Sequence, residues 1–586
     1  PGVKDGLKAL GKTEEPPIVL RAHDTDAPTV MKAALPLYKN LYTEAKYNGE
    51  ALTTYTPRGP WAELHRSLAR IGTVQIENVH ILANLEPFRY GSADFIQKSV
   101  QAMHKVHEGN GLHLYPQASY WDWPYSADNT SPRLLQIERD WIWYKQWARY
   151  AWKANRDRKE EIAYWSKQLQ LKYGGNLQTG KNILTAYEEM GEIAPKLLRR
   201  FGITDGNRQT LTLGMLMTQL INPYRYGLFT LLYNSEGPEG EMLTEYAEKE
   251  WKGEKHIGET PVQIIYEVME HGDNAVELIN NAATFVSANK EEFARIQNDA
   301  RIYQTLAYHF AEKAKAALAV LRYKYSNDLT DLEKGYSHLH KSVQHYRTLA
   351  KLTEGTYLYA NSMQTQQRKI PVGGDDGKMK TWTELLPVYE KELASFRKNI
   401  DSLKNPSNTG AAKKKAALAN AQVTVISPQA ALYDIAIGKE MFADTATYFK
   451  DFAEELKALK GLKLARAMQA SQGTTITFNT AKPVKLLVGY FNSKDPRFLQ
   501  PPQLETDASA NNYGQAEPKI SNALIISGMP PVNVHTYSFP AGKHTLTLGK
   551  GTALVLGFVD DKELTRSFDA GLVQGGVKRE LDWLFE

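Results

Sequence analysis

The chain has 586 residues, no cysteine and a formal net charge of +5. That length provides for roughly three or four domains of ordinary size. The missing thiols exclude disulfides, thiolate metal sites and a cysteine nucleophile, and so slight a charge, with bases interleaved among acids, argues against nucleic acid as a partner. No run of about 18 apolar residues occurs, so no membrane span is expected. The opening residues Pro1 to Asp5 have no signal-peptide character, which a mature chain would already have lost, so localisation is not legible there.

Taken in order, Ile18 to His23 reads as a strand with Asp24-Thr-Asp26 at its polar end. Asp26-Ala-Pro28 opens a helix to about Leu37, with Asp as N-cap and Pro in the first turn. Asn40 to Glu50 reads as a second strand and its loop, Trp61 to Ile71 as a helix, and Ala93 to Val106 as another. Third and fourth strands are expected from Val79 and from Gly111. Each of these two stretches, 79–92 and 111–124, is a short apolar run that breaks into polar and aromatic residues, as a buried parallel strand does where its carboxyl end opens into a site. Strands alternating with helices of this length imply βαβ units and a parallel sheet. Four such strands are half of what an eight-stranded barrel needs.

Ser131-Pro132 begins a different region. Arg133 to Trp152 is rich in Trp and Tyr, and Leu177–Phe201, Pro261–Ile279, Lys290–Lys324 and Thr381–Leu403 keep helical periodicity, which predicts an antiparallel helical bundle. Asn405 to Gly410, followed by Lys413 to Lys415, reads as a linker. Beyond it, short alternating runs are expected as strands from Val423 to Val559, with one helix near Phe449–Ala467. Ala541-Gly542 and Gly549-Lys-Gly551 are read as hairpin turns, and the whole as a β-sandwich. The expected domains are therefore 1–130, late strands of a (β/α)8-type barrel; 131–405, helical; 406–422, linker; and 423–586, β-sandwich.

With Leu-Glu-Pro-Phe-Arg-Tyr-Gly-Ser at 85–92, Leu-Tyr-Pro-Gln at 114–117, and Glu138-Arg-Asp-Trp-Ile-Trp-Tyr144 leading into the helices, the chain resembles the α-glucuronidase-like carbohydrate-active enzymes around glycoside hydrolase families 67 and 115. A sister polysaccharide lyase family that removes a rhamnose cap from glucuronate shares the likeness. The resemblance implies cleavage at a uronic acid of a plant glycan, a periplasmic or extracellular setting, and a site at the carboxyl ends of the barrel strands.

The residues support that chemistry in part. Glu86, ending a strand before Pro87, stands where glycosidases place their acids and bases; its structural alternative is an ion pair with Arg89 or Lys46. Arg89 has the fork that grips a carboxylate through two hydrogen bonds. Tyr115, Tyr120 and Trp121 offer faces to sugar rings, and Gln117, Asp122 and Asn48 offer polar contacts to hydroxyls. Lys46 would neutralise a uronate carboxylate, and His23 or Tyr115 would move a proton. Glu86, His23 and Tyr115 are thus the catalytic candidates, and Arg89, Lys46, Asn48, Gln117, Trp121, Asp122 and Tyr120 the substrate-binding ones. Hydrolysis leads because of Glu86. Elimination at glucuronate stays open, since it needs only a cation and a Tyr or His base, and both are present. A non-catalytic glycan-binding protein is the alternative of another class, against which the carboxylates Asp24, Glu44, Glu86 and Asp122 argue. No organic cofactor is called for, and a structural or catalytic divalent cation stays open. Asp24-Thr-Asp26 alone is a weak metal signal, and His338 and His340 would face different sides of a helix. Four βα units leave open sheet edges, so an N-terminal segment completing the barrel is also expected.

Overall fold

The computed structural model describes residues 2–22, 27–47, 52–72, 74–79, 86–116, 122–204, 207–223, 228–360, 372, 379–404, 417–502, 518–564, 568–570, 572 and 581–586. They form two compact units. The first comprises Pro1–Pro223, Leu228–Lys404 and Leu584–Glu586, and the second Asn405–Trp583 with Tyr224–Gly227.

After a short helix over Gly2–Ala9, the first unit has β1 (Ile18–Arg21), β2 (Leu41–Tyr47), β3 (Val74–Val79) and β4 (Gly111–Leu114), a parallel sheet in sequential order. The helices between them are α1 (Ala27–Ala34), α2 (Gly59–Ile71) and α3 (Ala93–Lys105). The expected alternation is present, but the third strand ends where it was expected to begin. Its sequence Val-Gln-Ile-Glu-Asn-Val carries three polar side chains, Gln75, Glu77 and Asn78, all fully buried. An apolar-run criterion passes over such a strand, because these side chains find polar partners inside the protein, Gln75 with Thr43, Glu77 with His107 and Asn78 with His113.

The helical part contains α4 (Trp141–Trp152), α5 (Arg158–Tyr173), α6 (Leu177–Phe201), α7 (Leu243–Lys252), α8 (Pro261–Ala283), α9 (Lys290–Ser326), α10 (Leu329–Thr353) and α11 (Trp382–Lys404). Local chemistry sets several of these ends. Asp157 caps α5 through the backbone N–H groups of Lys159 and Glu160, and Asn176 and Thr179 form a reciprocal capping box on α6. Thr260 caps α8 ahead of Pro261. At Gly180 helix α6 meets α5 so closely that a Cβ there would overlap the carbonyl oxygen of Ser166. Trp143, Trp147 and Tyr150 are fully buried while Trp152 is exposed, so the Trp-rich stretch serves in part as core.

The second unit is built from β5 (Val423–Ser427), β6 (Leu432–Asp434), β7 (Phe449–Phe452), β8 (Lys460–Leu462), β9 (Thr474–Thr480), β10 (Val484–Phe491), β11 (Pro518–Ile526), β12 (Val532–Phe539), β13 (Gly542–Leu548), β14 (Leu554–Asp560) and β15 (Phe568–Asp569). An eight-stranded sheet runs β15-β11-β12-β10-β14-β8-β6, with β7 also on β11, and a three-stranded sheet runs β13-β9-β5. Ile476, Phe478, Leu546 and Leu548 of the smaller sheet share one core with Leu486, Val488 and Val555 of the larger.

Two expectations are corrected in this unit. The helix expected near Phe449–Ala467 is β7, a short 3-10 turn at Glu454–Leu456 and β8, followed by a helix over Arg466–Gln472. Phe449, Phe452, Leu456 and Leu459 repeat at helical spacing, yet Phe449 and Phe452 pair with β11 and the sheet decides their conformation. The two glycine turns are not hairpins. Ala541-Gly542 joins β12 to β13 and Gly549-Lys-Gly551 joins β13 to β14, and each pair lies in different sheets. Gly542 and Gly551, at φ 131° and 130°, make the corners in a conformation that side chains disfavour.

The mixed fold therefore combines a parallel sheet with helices, a helical part and largely antiparallel sheets. Among the described residues no helix is long and apolar enough to cross a membrane.

Candidate active site

Side chains alternate across a strand, and residues paired between parallel strands share a face. Lys46 pairs with Asn78 and Asn78 with His113, so these three lie on one face of the parallel sheet, together with Glu44 two residues before Lys46. On that face His113 Nδ1 is 3.1 Å from Glu44 Oε2 and 2.9 Å from Asn78 Nδ2. The nitrogen accepts from the amide when the ring proton is on Nε2, and donates to Glu44 when the proton is on Nδ1. Both tautomers have a partner, which suits a ring that passes protons. The ring of Tyr115 stacks on His113 with centroids 5.2 Å apart. Glu44 and Lys46 are buried, while the His113 side chain is about half exposed (47%).

The opposite face is closed by α2 and the end of α3. Glu77 Oε2 lies 2.8 Å from His65 Nδ1 and 3.0 Å from His107 Nδ1, all three side chains being fully buried. Burial alone would raise the Glu77 carboxyl, but the two imidazoles bring it down to about 2. Burial and His65 push the His107 pKa below its ordinary value despite Glu77. Among the described residues this is the group with metal-ligating composition. The two rings stack at 4.1 Å with planes 21° apart, and both Nδ1 atoms meet a single carboxylate oxygen, to which His107 is hydrogen-bonded. His65 Nε2 is 3.0 Å from the carbonyl of Lys46, which also accepts from Trp61 Nε1 at 3.1 Å, so this layer holds the backbone beneath Lys46.

Glu86 and Asp122 converge on a residue far along the chain. The Tyr359 hydroxyl donates to Asp122 Oδ2 at 2.7 Å, and Arg133 pairs with the same carboxylate. Burial first, and the nearby Glu86 charge second, push the Tyr359 phenol well above its ordinary range. Glu86 itself is 1% exposed.

Arg89 stands three residues on but serves another group. Its guanidinium is 2% exposed and contacts Asp128 at 2.8 Å, Glu292 at 2.6 Å and Asp299 at 3.2 Å, with Tyr357 Oη at 3.3 Å from Nη1. Arg139 adds a second buried guanidinium, 3.0 Å from Asp128 and 2.8 Å from Asp140. Against the burial that would raise it, Arg139 and Arg89 hold the Asp128 carboxyl well below the usual range. Burial carries Asp140 up to about 6 in spite of Arg139. The fork expected to grip a substrate carboxylate is thus engaged by three carboxylates of the chain itself. The ion pair with Glu86 foreseen as the structural alternative did not anticipate Glu292 and Asp299 on α9 as partners.

Of the residues singled out in the sequence, Glu86, Tyr115, Lys46, Arg89 and Asp122 are placed as above, whereas His23, Asn48, Gln117, Tyr120 and Trp121 lie outside the described residues. Asn78, His113 and Tyr359 were not singled out. The first two were detectable in principle, since His113 is two residues before Tyr115 and therefore on its face. Tyr359 carries no signal, because it reaches the site from a position 237 residues beyond Asp122.

No protein-family model and no curated protein matches the chain. Among solved structures, a GH138 enzyme targeting pectin rhamnogalacturonan II matches with a TM-score of 0.91 and 50% sequence identity, covering 100% of this chain and 67% of its own. The chain belongs to the GH138 family. This GH138 chain is accordingly a carbohydrate-active enzyme that acts on glycosidic bonds. The wider expectation of a carbohydrate-active enzyme agrees with that membership, while families 67 and 115 do not enter into the match.

Proposed function

We propose that this GH138 chain is a glycoside hydrolase that cleaves at a uronic acid in a pectic plant glycan, outside the cell that makes it. The observation that carries the reading is the likeness over the whole of this chain, at 50% identity, to two thirds of an enzyme targeting rhamnogalacturonan II. In this reading the four parallel strands are half of a (β/α)8-type barrel, the antiparallel sheets are a β-sandwich, and the site occupies the sheet face that carries Glu44, Lys46, His113 and Tyr115, together with Glu86.

Glycoside hydrolysis needs two carboxyl groups flanking the scissile bond, one to protonate the leaving oxygen and one to attack or to activate water. Glu86 supplies one, beside the Tyr359 phenol, whose proton is firmly held and can only be donated in hydrogen bonding. Glu44 supplies the other, with His113 able to hold or return a proton at Nδ1. Lys46 is the cation for the uronate carboxylate, a role that Arg89 is too fully engaged to fill. Tyr115 presents a ring face to the sugar.

The test is product analysis on a panel of rhamnogalacturonan II fragments and uronic-acid oligosaccharides. Hydrolysis releases a saturated uronate. A 4,5-unsaturated product, visible by its ultraviolet absorbance, would overturn the hydrolase reading in favour of elimination, and turnover of neutral fragments alone would remove the uronic acid from it.

A further inference from the structure

Away from the parallel sheet, α7, α9 and α10 enclose an open groove of about 530 Å³. Its floor is aliphatic, from Leu318 and Ala319 on α9 and Ala247 on α7. Along one wall the indole of Trp251 is 49% exposed. It lies nearly parallel to the ring of Tyr325, 16° between planes and 5.9 Å between centroids, with the ammonium of Lys324 5.5 Å from the same Tyr325 ring. Tyr246, five residues before Trp251 on the same helix, also lines the groove and stacks at 4.2 Å on His256, which fixes its plane. The rim carries Glu250, Arg322, Asp331 and Lys334.

The composition points to one class of ligand. This groove mixes charges of both signs with its aromatic wall. A groove of this size is in the range of small-ligand sites. A sugar presents flat C–H faces to aromatic rings and hydroxyls to charged side chains, and so uses both components at once. The basic groups are the ones available for new bonds. Lys334 is exposed and has no hydrogen bond or ion pair among the described residues, and Arg322, two-thirds exposed, reaches Asp331 only at 3.5 Å. Asp331, by contrast, is buried and held by Ser326 at 2.7 Å. Two cations beside an aromatic wall suit a sugar with a carboxylate, which an Arg fork can hold through two hydrogen bonds.

We propose that this groove is a second, non-catalytic binding site for an acidic glycan strand, with Trp251 as the ring platform and Arg322 and Lys334 as the carboxylate contacts. The ligand class rests on the proposed function, while the site stands on its own geometry. It would hold the polymer on the enzyme and raise the local concentration of cleavable bonds.

The test is affinity electrophoresis of the whole chain in gels containing polygalacturonate, beside gels containing a neutral polysaccharide, with turnover of a short uronide measured separately. The unchanged chain should be retarded by polygalacturonate and not by the neutral polymer. Trp251→Ala should weaken that retardation about tenfold, the scale of a lost aromatic contact, and leave turnover of the short uronide as it was. The double variant Arg322→Ser with Lys334→Ser, which alters exposed side chains alone, should do the same if Trp251→Ala does not fold. Retardation unchanged in either folded variant, or equal in neutral polymer, overturns the proposal. Loss of retardation in a chain that cleaves no uronide would instead keep this site and discard the proposed function.

Discussion

Arg89 offers the sharpest discrimination between a substrate contact and a structural one. Arg89→Met keeps the stem volume and removes the guanidinium, which leaves Asp128, Asp299 and Glu292 without their common counter-ion. Asp128 retains Arg139 and Arg295, and Asp299 retains the Tyr357 hydroxyl. Asp299 is the more exposed to loss, since its carboxyl is already raised by burial even with Arg89 present. Removing one partner from a buried ion network costs about 3–5 kcal/mol, which in a unit of this size lowers the melting midpoint by roughly 4–6 °C. Scanning calorimetry with far-ultraviolet circular dichroism reads it directly. Asp299→Asn in the same background should recover part of the loss, because it neutralises the orphaned charge, and the double-mutant cycle gives the coupling. A variant that melts with the wild type and loses only turnover of carboxylate-bearing substrates would refute the structural assignment and restore Arg89 to the binding site.

Glu86→Gln should lower turnover by about a hundredfold or more with the melting curve preserved, the scale for an acid–base group; full activity would exclude it. Glu77 makes a pH prediction. Its folded pKa of about 2 is below the ordinary 4.5, so the stability it contributes is present above 4.5 and is lost as pH falls from there towards 2. A difference of that size is worth about 3 kcal/mol, and the depressed His107 pKa acts in the same direction below 6.5. Melting of Glu77→Gln should therefore depend less on pH across that acid window than the wild type does, and parallel curves would refute the assignment. Gly109→Ala would place a Cβ 2.9 Å from Glu77 Cγ and Oε1. Since Glu77 is enclosed, the expected cost is about 1–3 kcal/mol, read by thermal denaturation, and an unchanged midpoint would mean that the loop yields.

The alternation of β1 to β4 with their helices, and helices such as Leu177–Phe201, follow from periodicity and capping, which are local properties of the sequence. They were legible for that reason. The polar strand Val74–Val79 was not, because Glu77 is tolerable in a core only when His65 and His107 stand beside it, and those neighbours come from two other elements. The same cause separates Glu86 from Arg89. Sequence proximity joins them, but Arg89 is drawn to Asp299 on α9 while the Glu86 charge lies near Tyr359. The sequence by itself determined, through composition, that the chain is free of cysteine and, through periodicity, that it alternates strands and helices before a helical part. Which carboxylates are spent on internal charges and which lie beside a polar sheet face was decided by the tertiary structure, since the pairing of a charge depends on what lies within a few ångströms in space and not on its neighbours along the chain.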